Sequence, residues 1–220
     1  PNSNVYRSGD GGATWTKGAE NLGFYGVASI LVDPRNSSLV LAAGSRGIVR
    51  STGGGTSFSP SSNGLAHLRV LDLEAGLASQ QGTFYAATGS GAYRTTDNGS
   101  TWSALSTGLP PASIASLALD SRPPRRLYAA GAHGGGLWSS TDDGATWTAA
   151  VGAPTSARSF VAVDPASVGR ALVGIDGEGV HRSTNGGTSW TPLNTGLANQ
   201  AVWSLAVRHQ PGSRRWSLNA

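Results

Sequence analysis

Ser140-Thr141-Asp142-Asp143-Gly144-Ala145-Thr146-Trp147 decides the fold, because the chain writes this stretch five times. Residues 8–15 and 95–102 repeat it closely, whereas residues 51–58 carry Gly53 at the Asp position and residues 183–190 carry Asn185 there. The copies close on Trp15, Phe58, Trp102, Trp147 and Trp190, at steps of 43, 44, 45 and 43 residues. A regular period of roughly 40 to 50 residues is the mark of a propeller or a solenoid.

Each part of the stretch has a physical reason to be there. A hairpin turn that reverses the chain tightly needs positive φ, which Gly12, Gly55, Gly99, Gly144 and Gly187 supply without steric cost. The hydroxyl of Ser8 or Ser140, and the side-chain oxygen of Asp10, Asp97, Asp142 or Asn185, can accept the turn's own backbone N–H groups. The closing aromatic can then cover the turn and pack on a neighbouring sheet.

Outward from these turns the chain reads as short strands. One unit runs through residues 27–32, 39–43, 48–50 and 57–59, with turns between them, and three more units begin at residues 68, 114 and 158. The last unit supplies only residues 202–207 and 216–218, and the first supplies only residues 5–8 and 14–17. The expectation is an all-β propeller of four-stranded antiparallel blades, in one domain over residues 1–220. Its blades fall near 27–62, 68–106, 113–150 and 157–194, with a fifth formed by residues 202–220 and 1–18 so that no end strand is left bare.

The eight-residue stretch resembles the Asp-box, or BNR, repeat of sialidases, sortilin-type receptors, xyloglucan-degrading glycosidases and photosystem II assembly factors. The wider pattern is also similar, with Val32-Asp33-Pro34 and Val163-Asp164-Pro165 ending apolar runs and Leu127-Tyr128-Ala129-Ala130 preceding a copy. The resemblance implies a β-propeller in which the repeated turn is structural, and it implies no catalytic role for that turn.

Composition narrows the function classes. The net charge of +4 comes from 15 Arg and one Lys against 12 acids spread along the chain, without the clustered cations of a nucleic-acid surface. No apolar run approaches the roughly 18 residues that span a bilayer. Cysteine is absent, so there is no disulfide framework, and the four His are not spaced as metal ligands. No cofactor and no metal are expected, and a monomer is.

Once the repeat is subtracted, few residues are left for chemistry. Asp72 stands in a first strand, aligned by sequence with Leu31, Ala118, Ala162 and Ala206, where a carboxylate must be paired or wetted. Asp176 and Glu178 share the turn between a second and a third strand, and Glu20 is a further acid outside the repeat. Alternation of the strands puts the repeated turns on one rim and the variable turns on the other. The variable rim carries Tyr25, Arg46, His67, Arg69, His133, Asp176, Glu178 and Trp203, with Phe24 as either a ligand contact or a plug between blades. The expected activity is non-catalytic binding of a protein or glycan at that rim. The alternative is a glycoside hydrolase using Asp72, Asp176 and Glu178. A sialidase is disfavoured, because four of the five Tyr and the Arg column at 7, 50, 94 and 182 belong to the repeat. A secreted or periplasmic location is left open.

Overall fold

The computed structural model describes residues 3–19, 22–105, 107–110, 112–153, 159–198, 200–205 and 207. Its strands are β1 (Tyr6–Arg7), β2 (Thr16–Lys17), β3 (Val27–Asp33), β4 (Asn36–Gly44), β5 (Gly47–Ser51), β6 (Ser59–Pro60), β7 (Val70–Ala75), β8 (Phe84–Thr88) and β9 (Gly91–Thr95). They continue with β10 (Ser103–Leu105), β11 (Ile114–Asp120), β12 (Arg126–Gly131), β13 (Leu137–Ser140), β14 (Thr148–Ala149), β15 (Ser159–Val163), β16 (Ala171–Ile175), β17 (Gly179–Ser183) and β18 (Thr191–Pro192). The fold is an all-β propeller: four sheets of four sequential antiparallel strands, β3–β6, β7–β10, β11–β14 and β15–β18, and a two-stranded sheet of β1 and β2. Of the C-terminal half-unit, residues 201–205 form no strand and residues 216–218 lie outside the described residues, as does Glu20.

The chain divides into two compact units, Pro1–Gly89 with Tyr93–Ala104, and Ser90–Ala92 with Leu105–Ala220. The first holds β1, β2, the β3–β6 blade and most of the β7–β10 blade; the second holds the other two blades. In each unit two blades share one apolar layer. Leu41, Ile48, Val70, Phe84, Tyr93 and Trp102 form it in the first, and Tyr128, Leu137, Val161, Val173, Ile175 and Trp190 in the second. Second strands are buried on both faces, so they read as continuous apolar runs rather than alternations. Ala42, Ala43, Ala86, Ala87, Ala129 and Ala130 are wholly buried in them.

The repeated turn closes on itself as a clasp. Its first hydroxyl, from Ser8, Ser51, Thr95, Ser140 or Ser183, accepts the N–H of the glycine four residues on, at 2.7–3.0 Å. In three copies that hydroxyl donates to the Asp, which accepts from the backbone and side chain of the Thr four residues later; Asp142 takes Thr146 N–H at 2.9 Å and Thr146 Oγ1–H at 2.6 Å. Asn185 keeps the backbone part, its Oδ1 accepting Ser189 N–H at 3.0 Å, but reverses the side-chain bond, its Nδ2–H donating to Ser189 Oγ at 2.8 Å. At Gly53 the carboxylate is missing, and the turn keeps the bonds to Ser51 Oγ and the one from Thr56 Oγ1–H to the Gly53 carbonyl at 3.0 Å. Two consecutive residues, not one, are left-handed: Asn98 and Asp143 precede Gly99 and Gly144 with φ of 60° and 58°. Asn and Asp tolerate that region better than other side chains.

Hydrogen bonds pull the acids down. The Thr14 hydroxyl and amide hold Asp10 at about 2, and the Ser140 and Thr146 hydroxyls hold Asp142 at about 2. Burial works the other way at Asp97, yet the bonds from Thr101 and Thr95 still bring it to about 2.

The closing aromatics do not all behave alike. Trp102, Trp147 and Trp190 are buried and Phe58 is half-buried, but Trp15 is 63% exposed. What covers Trp102 and Trp147 is the segment following the previous blade. Asn63 O accepts from Trp102 N–H at 2.8 Å and Thr107 O from Trp147 N–H at 3.0 Å. The next residues, Gly64 and Gly108, lie so close that a Cβ there would stand 2.1 and 2.4 Å from the carbonyl oxygens of Trp102 and Trp147. The connectors therefore start against the following clasp instead of belonging only to the opposite rim.

Adjacent blades are also tied at the turn after the first strand. Asp33 binds Arg35 Nε–H at 2.7 Å, and Arg35 Nη1–H reaches the carbonyls of Leu77 and Gln80 at 2.8 and 2.6 Å. Arg122 repeats this with Asp120 at 3.0 Å and with the carbonyls of Asp164 and Ser167.

Candidate functional site

The register of the first strands moves Asp72. It pairs with Ala87, as Ser29 pairs with Ala43 and Ser116 with Ala130; the residue in the column of Leu31 and Ala118 is Glu74. The two-residue offset from the sequence alignment arises because pairing begins at Val70 and not at Leu68; the bulge that follows Val70 recurs after Val27 and after Ile114. The corrected column ties blades together. Ser116 Oγ accepts Val161 N–H at 3.4 Å, and Ser29 Oγ accepts Leu73 N–H at 3.3 Å and donates to Asp72 at 3.4 Å. Asp72 is half-buried and also accepts its neighbour's N–H from Leu73 at 2.9 Å. It belongs to the first unit, whereas Asp176 and Glu178 belong to the second.

In the first unit the turn that joins β4 to β5 gathers several predicted residues. Phe24 is 1% exposed and fills the space over Gly44, where a Cβ would lie 3.1 Å from its ring. Phe24 is thus the plug, and the next residue turns outward. Tyr25 is 71% exposed, its N–H donates to Ser45 Oγ at 3.2 Å, and the Arg46 guanidinium sits 5.0 Å from its ring centroid. Arg46 Nη2–H also donates to Tyr25 Oη at 3.4 Å. Leu68, 49% exposed, reaches over Gly47 at the end of the same turn. His67 and Arg69 flank it, with His67 Nδ1 accepting Arg69 N–H at 3.1 Å and the imidazole lying over Gly89. Together Tyr25, Arg46 and Leu68 present an aromatic ring, a cation held on its face and an aliphatic group.

In the second unit the predicted residues are spread over two turns and a connector. His133 is exposed, with φ of 53°, in the turn between β12 and β13. Asp176 and Glu178 are half-buried in the turn between β16 and β17, which Gln200 straps down by accepting the N–H groups of Gly177 and Gly179, both at 3.1 Å. Asn194 braces the same turn, accepting Val180 N–H and donating to Glu178 O. Trp203 is 67% exposed beside Val202, which is buried against Gly174. His181, half-buried on β17, has its pKa lowered by burial, opposed by the charge of Glu178. Among the described residues no three His, Cys, Asp or Glu side chains are grouped to hold a metal ion, and no helix is long and apolar enough to cross a membrane.

Residues 92–202, half of the chain, match the DUF6242 beta propeller domain. The chain belongs to that family. No curated protein matches it. Among solved structures, the GH74 enzyme of Niastella koreensis superposes with a TM-score of 0.67 at 23% identity, covering 86% of this chain and 34% of that one. The GH74 xyloglucanase of Xanthomonas campestris gives 0.61 at 18%, covering 74% and 29%. YCF48 bound to D1 peptide gives 0.58 at 19%, covering 86% and 61%. The chain thus spans about a third or less of the GH74 structures. At these identities the likeness is one of fold, and the DUF6242 propeller's function has to be argued from its own surface.

Proposed function

We propose that this propeller is a non-catalytic binding module whose partner is a protein segment docking on Tyr25, Arg46 and Leu68. The observation that carries the reading is the pairing of a 71% exposed Tyr25 with the Arg46 guanidinium on its face. Tyr and Arg are the side chains that most often anchor protein interfaces, since each offers large contact area and directed hydrogen bonding at low entropy cost. The YCF48 structure, a propeller with a bound peptide, supports the plausibility of such a role on this fold.

Selection of a displayed random-peptide library on the purified protein, followed by titration of the enriched peptides, tests the reading. Tyr25→Ala and Arg46→Ala should each weaken binding about tenfold or more while leaving thermal unfolding unchanged. Enriched peptides that bind both variants as well as the parent would overturn it. The competing hydrolase reading is tested on the same preparation with xyloglucan and a polysaccharide panel. Turnover that disappears in Asp176→Asn and Glu178→Gln would replace binding by catalysis.

A further inference from the structure

A cleft of about 230 Å³ opens in the second unit between the outer strands of one blade, β13 and β14, and the clasp of the next at Gly187 and Thr188. Its origin is a gap in a repeating column. The third strand of a blade carries an Arg one residue before the clasp, at Arg7, Arg50, Arg94 and Arg182, but the β13 blade has Ser139 there. Arg50 shows what the residue does at such a junction: its Nη1–H donates to Asn98 O at 3.3 Å and to Ser100 Oγ at 3.2 Å in the following clasp. With Ser139 in its place the junction is left open.

Another guanidinium has moved to the edge of the opening. Arg126, from the start of β12, donates from Nη1–H to Ser139 Oγ at 3.3 Å. Its Nε and Nη2 lie within about 3 Å of where a Cβ at Gly186 would stand, so the plane rests against bare backbone in the following clasp. Arg126 is half-buried and lines the cleft. The nearest candidate acid on the sheet, its cross-strand partner Asp120, is taken by Arg122 and by Gly169 N–H. Among the described residues no carboxylate pairs with Arg126. The rest of the lining is hydroxyl-bearing, chiefly Thr141, Thr148 and Thr188, with a small apolar strip of Ala149 and Val151.

We propose that this cleft binds an acidic saccharide, with the carboxylate of a uronic acid residue on the Arg126 guanidinium. A planar guanidinium that has no protein carboxylate matches a ligand carboxylate with two parallel N–H···O bonds. The threonine hydroxyls match sugar hydroxyls, and the exposed Val151 beside Ala149 offers an apolar surface to the face of a sugar ring. The volume is below the roughly 300–1,000 Å³ of drug-sized sites, so it reads one sugar residue of a chain. The site is separate from the Tyr25 surface in residues and in ligand chemistry, and it stands whether or not that surface binds a protein.

Titration calorimetry with trigalacturonate, with the neutral galactose trimer and with inorganic sulfate tests the proposal. Trigalacturonate should bind, weaken as salt is raised, and lose about tenfold or more in affinity in Arg126→Gln. Ser139→Arg restores the column found in the other blades, so it should fill the cleft and abolish binding without lowering the thermal midpoint. Should Arg126→Gln unfold, that second variant carries the test alone. No binding of trigalacturonate at millimolar concentration, equal binding of the neutral trimer, sulfate binding as tightly as the saccharide, or retained affinity in Ser139→Arg would each overturn it.

Discussion

The indole N–H of Trp102 donates to the carbonyl oxygen of Ser61 at 2.8 Å, across 41 residues of sequence. Ser61 answers by donating its hydroxyl to the carbonyl of Gly99 in the same clasp. This clasp is therefore more than a local turn, because Trp102 is the point where one blade's tail is bound by the next, whereas the Trp190 indole donates within its own clasp to Gly187 O. Trp15 ends the same motif but remains 63% exposed, so two copies of one motif have different energetic values.

Replacing Trp102 with Ala should destabilise the protein by about 3–5 kcal/mol, the range for emptying a large buried aromatic site, with a further contribution from the orphaned Ser61 carbonyl. Trp15→Ala should change stability by less than about 1 kcal/mol, since little area is lost from the folded state. Urea denaturation followed by fluorescence separates the two. Equal losses would mean that the motif's Trp acts locally and not through the junction.

How far the sequence reveals this architecture is visible in the same residues. The Ser, Asp and Gly of the repeat could be assigned jobs from spacing alone, because a turn's chemistry is local and its partners lie two or four residues away. What spacing could not reveal was relative register. Pairing that begins at Val70 and not at Leu68 moves Asp72 by two places and turns an apparent oddity among Leu31 and Ala118 into a member of the Ser29 and Ser116 column. The pairing of Tyr25 with Arg46 was equally hidden, since nothing in two residues 21 apart says that their side chains meet. Other signals lie in the sequence itself: Asp33 and Asp120 are each followed two residues later by the Arg that bridges to the next blade. The gap at Ser139 in the Arg column was legible too, once a missing residue is counted as information.

The turn at Gly53 is the defective copy of the clasp, and restoring its acid should stabilise it. Gly53 has no positive φ, and a Cβ there would meet only the Thr56 hydroxyl, a movable group, at 2.7 Å. The corresponding Ser100 in an intact copy keeps its bond to the Asp97 carbonyl at 2.9 Å despite the side chain at Asp97. Gly53→Asp should raise stability by about 0.5–1.5 kcal/mol near neutral pH, by adding carboxylate hydrogen bonds and by restricting the unfolded chain. The gain has a defined pH dependence. In the intact copies the folded carboxylate titrates at about 2, below the unfolded value of 3.8. A depressed acid stabilises fully above the unfolded value and loses that stabilisation as pH falls through the folded one. The hydrogen-bonding part of the gain in Gly53→Asp should accordingly be present at pH 6 and shrink between about pH 4 and pH 2. A gain that persists unchanged at pH 2 would assign the effect to chain entropy alone.

Tyr128 sits where Leu41 and Leu172 sit in other blades, opposite the residue before the clasp. It is wholly buried, and its hydroxyl has no hydrogen-bond partner among the described residues. Burial raises its pKa to about 12, with the Arg126 charge pulling down and the Asp120 charge pushing up. A buried hydroxyl without a partner loses its water and gains nothing in exchange, so Tyr128→Phe should stabilise by about 1 kcal/mol at neutral pH. The alkaline limb gives an independent check. For a phenol raised from 10 to about 12, the stabilising contribution is complete below pH 10 and is lost as pH rises through 12. Tyr128→Phe should therefore resist alkaline unfolding better than the parent between about pH 10 and pH 12, as read by circular dichroism. A loss of more than about 1 kcal/mol at pH 7 would show that the hydroxyl has a partner, and a bound water is the group that fits.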